Sequence, residues 1–420
     1  MLASGDGSNS LYCAAREPTM LQSTPTPPPC PHKILALAMK MLLCALVCLV
    51  CLTHGRFLSA EEYQGDVAQV RVVRRVEQHP GAALVWEPAI AAWKAKELVV
   101  VYGAGIPGKT DMGDIYASVS RDDGDRWSEP ATVFDHRERH GAIQFGYANP
   151  ILYKPPGQDV LWCFAMRCPI NSRHSEDSQL TSAYSADGGR SWTPVEQSMD
   201  YTGPLILGGS VQRVQDGGHP RYLLPAHRNT RRNDPLGTRE HFVLISSSLL
   251  EWRLAGFIPQ SAGGRVFLQE GEIAPGEREG ELKIVMRSAN YEKESQATDP
   301  PRAYSSTSAD GGRTWSPARP EPDLWNSNSK PFFGRSAQGI YAYVYSDGPA
   351  WSRMALRYKV QHPGGPWSAQ RTFFDAGVHN SYPRMIEVSA GDWRAVWDSG
   401  TADRHRTNIR FGKIRLANSK

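Results

Sequence analysis

Three copies of one eight-residue pattern decide the fold of this chain. They are SRDDGDRW at 120–127, SADGGRSW at 185–192 and SADGGRTW at 308–315, which share Ser, Asp, Gly and Trp at fixed spacing. Inside a tight turn the Asp carboxylate can accept backbone N–H groups, the Gly permits a positive φ, and the Trp covers a hairpin. We therefore predict a structural rather than a catalytic role for the three aspartates. They are Asp122, Asp187 and Asp310.

Two weaker copies of the pattern extend it into a repeat of roughly sixty residues. They end at Trp252 and Trp367, so that successive tryptophans lie 65, 60, 63 and 52 residues apart. A regular period indicates one repeat architecture rather than several unrelated domains. The roughly 360 residues from position 61 onward accommodate six such units.

Paired apolar runs give the same count of six units. Each run is short, rich in β-branched or aromatic residues, and bounded by Gly, Pro, Asp or Ser, as strands are. A third run precedes each pair, as at 146–152 and 381–386, and Val67–Val76 is expected to close the last unit. Antiparallel units repeated around an axis predict an all-β fold, a six-bladed β-propeller, over residues 61–420. The pairs are 98–103 with 114–120, 159–164 with 179–185, 221–226 with 241–248, 281–288 with 302–309, 339–346 with 353–360, and 392–398 with 407–416.

Composition fits a turn-rich β protein and excludes several classes of protein. Hydrophobic residues make up 40% and charged residues 21%, with 38 Gly and 31 Pro, so the chain is neither a coiled coil nor a collagen. The net charge is only +4, which gives no reason to expect a nucleic-acid partner. GAGIPGKT at 103–110 matches a phosphate-loop pattern, but the next segment alternates like a strand, whereas a phosphate loop must open a helix. We expect no cofactor and no metal.

The first sixty residues are predicted to lie outside the fold. Residues 1–32 are rich in Ser, Thr and Pro and cannot bury a core. Residues 41–53 are mostly apolar, follow Lys40 and precede small residues, which is typical of a signal peptide cleaved near Ala60. This run is shorter than the ~18–20 residues that cross a bilayer, so we expect secretion or periplasmic export without stable membrane insertion. Met39 would start such a peptide normally, and the residues before it are interpreted as a mis-started extension.

Cysteine usage agrees with a protein that is held together by its core. Five of the seven cysteines lie in the predicted extension and signal peptide, which leaves Cys163 and Cys168. These two would face opposite sides of one continuous strand, so a disulfide would require a turn between them. Whether they pair is left open.

Basic residues concentrate in the loops that join the second and third strands of each unit. The planar fork of arginine binds two oxygens of a carboxylate or sulfate at once, so this face is predicted to bind an anionic ligand. Polar residues of the first strands form the inner wall, where a buried carboxylate needs a cation or a chemical role. Glu270 with Arg287 is the simplest such pair. The candidate substrate-binding residues are Arg287, Arg335, Arg228, His227, Arg167, Asn149 and Glu87.

The S-x-D-x-G-x-x-W pattern is the Asp-box, and residues 61–420 resemble the sialidase superfamily with its Asp-box (BNR) repeats. The resemblance implies that the boxes join the third and fourth strands of a blade, on the face opposite the site. It also implies a retaining glycosidase site with three arginines on the substrate carboxylate, an Asp acid/base in the first blade, and a Tyr nucleophile assisted by Glu.

By this resemblance the catalytic residues fall in three different units. Tyr382, in HNSYP at 379–383, stands where the nucleophile is expected. Glu270 or Glu272 matches the assisting Glu, and the choice between them is open. Asp111, in the loop after the predicted strand at 98–103, is the candidate acid.

The arginines implied by the resemblance match only in part. Arg287 resembles the second arginine, and Arg335 is the candidate for the third. Sialidases carry Arg-Ile-Pro on the first inner strand, whereas this chain has Trp86-Glu87-Pro88. An acid in place of the first arginine argues against sialic acid as the substrate.

The predicted function is an exo-acting glycoside hydrolase on an acidic glycan. One alternative is a polysaccharide lyase, in which His or Tyr abstracts the proton beside a uronate carboxylate that Arg has neutralised. Another is a non-catalytic glycan-binding propeller, since a fold does not fix a function. The residues available to a lyase are His140, His174 and His227 with Tyr147 or Tyr382.

Overall fold

β-Strands account for nearly all regular structure in the chain. The structure is a computed structural model that describes residues 63–109, 111–172, 177–229, 239–260, 266–290, 297–348 and 353–416. One short 3-10 helix, Val76–Gln78, accompanies the strands. The predicted extension and signal peptide (1–60) and His174 lie outside these ranges, so export stays a prediction. No helix among the described residues is long and apolar enough to span a membrane.

Twenty-seven strands run through the described residues, all in one unit that spans Glu62–Lys420. The first ten are β1 (Ala68–Arg75), β2 (Val85–Lys94), β3 (Glu97–Gly105), β4 (Gly113–Ser120), β5 (Ala131–Phe134), β6 (Arg139–His140), β7 (Ile143–Tyr153), β8 (Leu161–Pro169), β9 (Gln179–Ser185) and β10 (Thr193–Val195). The next ten are β11 (Ser198–Met199), β12 (Ile206–Leu207), β13 (Gln212–Asp216), β14 (His219–Asn229), β15 (Arg239–Ser246), β16 (Glu251–Phe257), β17 (Val266–Pro275), β18 (Leu282–Asn290), β19 (Tyr304–Ser308) and β20 (Arg319–Pro320). The last seven are β21 (Phe332–Arg335), β22 (Tyr341–Ser346), β23 (Leu356–Gln361), β24 (Arg371–Phe374), β25 (Asn380–Ser389), β26 (Asp392–Ser399) and β27 (Asn408–Arg415).

Hydrogen bonding groups these strands into five sheets across the described ranges. Three sheets have four strands each, in the orders β17-β18-β19-β20, β21-β22-β23-β24 and β1-β27-β26-β25. In the last of these the first strand closes the final unit, as predicted. A six-stranded sheet runs β11-β16-β15-β14-β12 with β13 beside β14, and a nine-stranded sheet runs β10-β9-β8-β7-β4-β3-β2 with β5 beside β4 and β6 beside β7.

The strands therefore do not divide into six separate four-stranded sheets, contrary to the sequence prediction. One residue pair, Gly113 with Tyr147, joins β4 to β7 and fuses two predicted units into the nine-stranded sheet. The arrangement is propeller-like all the same, because the strands that begin successive units pack side by side. β7 packs beside β2 and β12, β21 packs beside β17 and β25, and β25 packs beside β2.

Each Asp-box forms the turn between the third and fourth strands of its unit, as predicted. In the second box, Gly189 N–H donates to Ser185 Oγ (2.8 Å), and Asp187 Oδ1 accepts two backbone N–H groups at 3.0 Å. Trp192 Nε1–H donates to Gly189 O at 3.1 Å. Gly189 has φ 88°, and a Cβ there would lie 2.7 Å from Val99, so the turn packs directly against a neighbouring strand. The aspartates serve their own turns, since the same bonds recur in the other two boxes.

Apolar side chains fill the spaces between successive units. One cluster packs Trp93 and Val101 against Tyr147 and Leu161, which joins β2 and β3 to β7 and β8. The cluster at the closure of the chain includes Val73, Val100 and Phe411 from β1, β3 and β27. Burial of this kind stabilises by about 25 cal/mol per Å² of apolar surface, so the contacts between units hold the ring of sheets together.

Candidate active site

The strands that begin successive units lose their regular conformation at equivalent positions. Glu87, Asn149, Glu270, Asn328 and Tyr382 are all buried and have φ between 40° and 63°. Register shifts accompany this conformation in β2, β7, β17 and β25. A left-handed non-glycine residue costs roughly 1–2 kcal/mol, and such residues collect at functional sites. These five left-handed positions therefore mark the candidate site.

Cations surround the ring of Tyr382. The guanidinium carbons of Arg353 and Arg406 lie 4.7 and 4.9 Å from the ring centroid, and Lys330 Nζ lies 5.5 Å from it. Arg406 Nη2 also donates a hydrogen bond to the Tyr382 hydroxyl at 3.0 Å. Cations over an aromatic face are attracted by its quadrupole, and a guanidinium at the hydroxyl stabilises negative charge that develops on the oxygen.

Arg287 and Glu270 form the buried pair that the sequence suggested. Arg287 Nη1 donates to Glu270 Oε2 at 2.6 Å, and its Nε donates to Asn328 Oδ1 at 2.8 Å. Burial by itself would raise the pKa of the Glu270 carboxyl, but Arg287 and Lys330 outweigh it and hold that pKa below its ordinary value. Glu270 is thus a carboxylate at neutral pH. His227 lies behind it, where its Nδ1 accepts the Glu270 N–H at 3.3 Å.

Glu87 occupies the place where the resemblance leads one to expect an arginine. Its Oε2 accepts the Asn149 N–H at 3.0 Å, and its Oε1 lies 3.9 Å from Lys330 Nζ. Burial raises the pKa of the Glu87 carboxyl to about 7, against the opposing effect of Lys330 and with support from Asp111 and Glu270. The group therefore carries only part of a charge near neutral pH.

Three residues at the start of third strands complete the site. Asp111, Arg353 and Arg406 precede β4, β23 and β27, and all three have positive φ, at 48°, 38° and 54°. Asp111 Oδ1 lies 3.7 Å from Arg406 Nη1. Arg406 Nε lies 4.0 Å from Oδ2 of the fully buried Asp398 on β26. These equivalent positions bring an acid and two arginines to the same face of the molecule.

Arg353 is buried beside other cations. Burial lowers its pKa, Tyr382 opposes that effect, and the guanidinium groups of Arg406 and Arg287 lower the pKa further. Its Nη2 donates to the backbone carbonyl of Asn328 at 3.3 Å. Three positive groups therefore lie within electrostatic reach of one another around Tyr382.

Arg335 does not lie with these residues, contrary to the sequence prediction. It ends β21, where Nε donates to Gly339 O at 3.2 Å and Nη1 donates to Gly276 O. Asn328 precedes β21, whereas Arg335 is the last residue of that strand. The strand thus carries Arg335 to the far end of its sheet, and Arg353 supplies the third arginine near Tyr382.

The structure also separates Glu270 from Glu272. Glu272 forms a buried ion pair with Arg384, and its Oε2 accepts the Ser210 N–H at 2.8 Å. Both partners line a cavity of about 400 Å³ between the strands that begin the units, together with Arg335. Among the two candidates, Glu270 is the one beside the Tyr382 site.

Arg228 and Arg167 are engaged within their own sheets. Arg228 is ion-paired with Glu240 and stacks 4.7 Å above the ring of Phe257. Arg167 lies 3.7 Å from Glu196. Neither contacts the residues around Tyr382 in the described part of the chain.

His140 and His227, the two lyase candidates among the described histidines, do not gather around Tyr382 either. His140 is exposed on β6, and its Nε2 lies 3.5 Å from the Tyr147 hydroxyl. Burial raises the pKa of Tyr147 to about 12, which disfavours it as a base. His227 is buried against the backbone of Glu270.

One group of potential metal ligands lies away from the site. Oxygen and nitrogen atoms of Asp114, Asp135 and His136 lie within 4.8 Å of one another. Asp114 Oδ1 accepts the backbone N–H of His136 at 2.7 Å and contacts its Nδ1 at 2.6 Å, while Arg137 Nη2 lies 2.7 Å from Asp135 Oδ2. Hydrogen bonds and an ion pair thus account for this grouping.

Neither Arg353 nor Arg406 is among the site residues predicted from the sequence. Both lie in the basic loops noted above, and both immediately precede the third strand of a unit, as Asp111 does. Alignment of the units on their third strands would have found them. The bulges had a signal too, since a proline follows Glu87, Asn149 and Tyr382.

Solved structures with the same fold include glycan-active enzymes. The Hadza microbial sialidase Hz136 is 16% identical, with a TM-score of 0.64 over 83% of this chain and 68% of that one. The NanB sialidase of Streptococcus pneumoniae is 11% identical, with a TM-score of 0.62 over 82% and 70%. An alpha-L-arabinanase of Penicillium chrysogenum is 11% identical, with a TM-score of 0.60 over 83% and 98%. At these identities the likeness establishes the fold alone.

Sequence comparison establishes the family. No curated protein sequence matches the chain significantly. The family model for the BNR repeat-like domain matches residues 96–394, a segment that contains all three Asp-boxes. The resemblance to the sialidase superfamily through its BNR repeats is thereby confirmed. This chain belongs to the BNR repeat-like domain family.

Proposed function

We propose that this protein is a glycoside hydrolase that cleaves an anionic glycan with Tyr382 as its nucleophile. The observation that carries the proposal is the position of Arg353, which is buried over the Tyr382 ring within electrostatic reach of Arg287 and Arg406. A substrate carboxylate or sulfate matches the planar fork of arginine, which can donate to two oxygens at once.

Each reacting group has a candidate in the site. Tyr382 attacks the anomeric carbon, and Arg406 stabilises charge on its oxygen from 3.0 Å. Asp111, which is partly exposed beside Arg406, donates a proton to the departing glycosidic oxygen and then activates the water that releases the sugar. Glu270 accepts the phenol proton when the substrate anion takes its place at Arg287, and it returns that proton when Tyr382 leaves the sugar. In the free site it is ionised and bonded to Arg287.

Glu87 distinguishes this site from one that takes sialic acid through an arginine of the first strand. A buried carboxyl whose pKa is about 7 can donate a hydrogen bond to a neutral substrate oxygen while it is protonated and uncharged. An arginine at this position would donate as a full positive charge. The acidic group of the substrate is therefore held by arginines of the later units. The proposed substrate is an acidic glycan with a neutral oxygen opposite Glu87.

We further propose that the ring of sheets consists of six blades. The nine-stranded sheet then counts as two, which a single residue pair joins. Six of the seven apolar clusters among the described residues support this division, because each of the six draws its residues mainly from two neighbouring units. A cluster between each pair of neighbours is what radial packing of six blades requires.

Product analysis on a panel of sialylated, uronate-containing and sulfated glycans tests the proposed function. We expect new reducing ends without new ultraviolet absorbance. An unsaturated uronate product would instead identify a lyase, and a retained polymer would identify a glycan-binding protein. Arg353→Lys should lower cleavage on the order of 10- to 100-fold by loss of the bidentate fork. Arg335→Lys is the matched control and should leave cleavage unchanged.

A further inference from the structure

A chain of hydrogen bonds leads from the surface to the buried carboxylate beside Arg406. His405 is exposed, and its Nδ1 lies 2.9 Å from Nδ1 of the buried His379. His379 Nε2 lies 2.9 Å from Ser381 Oγ. The Ser381 hydroxyl in turn donates to Oδ1 of Asp398. Four residues from three segments of the last sheet are thus connected in series.

The carboxylate at the inner end fixes the direction of every bond in this chain. Asp398 can only accept while it is ionised, so Ser381 gives it the hydroxyl proton and its oxygen must accept from His379 Nε2. A neutral His379 protonated at Nε2 has an accepting Nδ1, which requires that His405 donate from its own Nδ1. The geometry therefore assigns opposite tautomers to the two neutral histidines.

Asp398 connects this chain to the candidate site. Its Oδ2 accepts the Glu87 N–H at 3.3 Å and lies 4.0 Å from Arg406 Nε. Arg406 then donates to the Tyr382 hydroxyl at 3.0 Å. The charge on Asp398 thus acts on the group that holds the proposed nucleophile.

We propose that His405, His379 and Ser381 are positioning residues that hold Asp398 against Arg406 and thereby place Tyr382. Protonation of His379 weakens this hold. When His379 Nδ1 takes up a proton from solvent, it can no longer accept the hydrogen bond from His405. The imidazolium that forms has its Nε2 3.9 Å from Asp398 Oδ1. The imidazolium then competes with Arg406 for one carboxylate. The role in turnover rests on the proposed function.

The surroundings of Asp398 shift the pKa of its carboxyl in opposite directions. Burial raises the pKa of its carboxyl, whereas Arg406, the Ser381 hydroxyl, Arg353 and the Glu87 N–H lower it. Two of these belong to the loops before β23 and β27, and the others to β25 and β2. A carboxylate balanced in this way responds to a charge added on a neighbouring histidine.

Histidine NMR tests the assignment without any substrate. In protein labelled with ¹⁵N-histidine and held at alkaline pH, we expect His379 as the Nε2–H tautomer and His405 as the Nδ1–H tautomer. His379→Gln and His405→Ala identify the two resonances by their loss. The reverse tautomer at either ring would overturn the proposal. This result stands whether or not a glycan is cleaved, so it fails independently of the proposed function.

Turnover as a function of pH distinguishes a positioning role from a structural one. A glutamine at position 379 can still donate to Ser381 but takes up no proton. His379→Gln should therefore keep kcat/KM within about threefold of wild type at the pH of maximal activity and move the acid limb to lower pH. An unchanged acid limb, or equal loss at every pH, would overturn the proposal.

Removal of the central hydroxyl gives the second arm of this test. Ser381→Ala should lower kcat/KM on the order of tenfold, since a hydrogen bond to a charged group is lost. Ser182→Ala is the matched control, because Ser182 is equally buried and hydrogen-bonded but lies on β9. Equal kcat/KM in both variants, each folded by circular dichroism, would contradict the positioning role. If no glycan is cleaved, the proposed function fails and the tautomers alone decide this inference.

Discussion

Tyr382 combines a left-handed backbone with a ring that three cations approach. A bulky residue at φ 53° is strained, and the buried cations around it have lost much of their hydration. Neither feature stabilises the fold by itself. Their coincidence at one residue is the physical reason to place a reaction there, since strain and perturbed charge collect at functional sites.

Arg287 provides a residue-scale test of how the anion is bound. Arg287→Lys keeps the charge but loses the two directed bonds from Nη1 and Nε. We expect kcat/KM on the acidic glycan to fall by an amount equivalent to about 1.5–3 kcal/mol of transition-state stabilisation, the scale of a charged hydrogen bond. Thermal unfolding should change much less. Steady-state kinetics that match wild type would mean that Arg287 only holds its sheet together.

Glu87 predicts a pH dependence of stability. The folded pKa of about 7 exceeds the ordinary value of 4.5, so this group contributes stability that is fully present below pH 4.5 and is lost as pH rises through 7. Glu87→Gln removes the titration. Urea unfolding at pH 5 and pH 8 should show the variant gaining stability relative to wild type at the higher pH. A difference that is equal at both values would mean that Glu87 titrates normally.

At the scale of the element, the Asp-box turn and the bulged strand differ in what the sequence reveals. The Asp-box is local: its Ser, Asp, Gly and Trp bond one another within eight residues, so its turn could be predicted from spacing. The loops that carry Arg353 and Arg406 have no such pattern. Their place depends on the register of strands far apart in sequence, which is why Arg335 was preferred to Arg353.

Trp315 offers a test of the Asp-box as a structural element. Its ring is buried, and its Nε1–H donates to Gly312 O at 3.1 Å. Trp315→Ala should cost about 3–5 kcal/mol of unfolding free energy by loss of a large buried aromatic. Cleavage per folded molecule should not change, because the box lies opposite the site. A variant that unfolds like wild type yet loses turnover would refute the structural role.

At the scale of the whole molecule, β1 and β27 bring the two ends of the described chain together. β1 pairs with β27 from Ala68 to Arg75, and Val73 joins Phe411 in the cluster at the closure. A repeat period suggested this closure from sequence alone. The joining of β4 to β7 could not be foreseen, because it depends on the contact of one residue pair.

Removal of β1 should therefore destabilise more than the strand itself. A chain that begins at Val85 leaves the edge of β27 unpaired and exposes Val100 and Phe411. We expect a lower unfolding temperature, loss of a single cooperative transition, and association in sedimentation. A chain that begins at Tyr63 is the control. Identical unfolding of the two chains would show that closure through β1 does not stabilise the ring.

If Tyr382 is the nucleophile of a glycoside hydrolase, turnover passes through a sugar bound covalently to its oxygen, and this intermediate can be captured. The enzyme is acid-quenched during turnover of whichever acidic glycan the panel identifies, and its peptides are analysed by mass spectrometry. We predict one sugar attached to the peptide that contains Tyr382. Tyr382→Phe should carry none and should lose about three orders of magnitude in kcat. Turnover by Tyr382→Phe equal to wild type, with no sugar on that peptide, would exclude Tyr382 as the nucleophile.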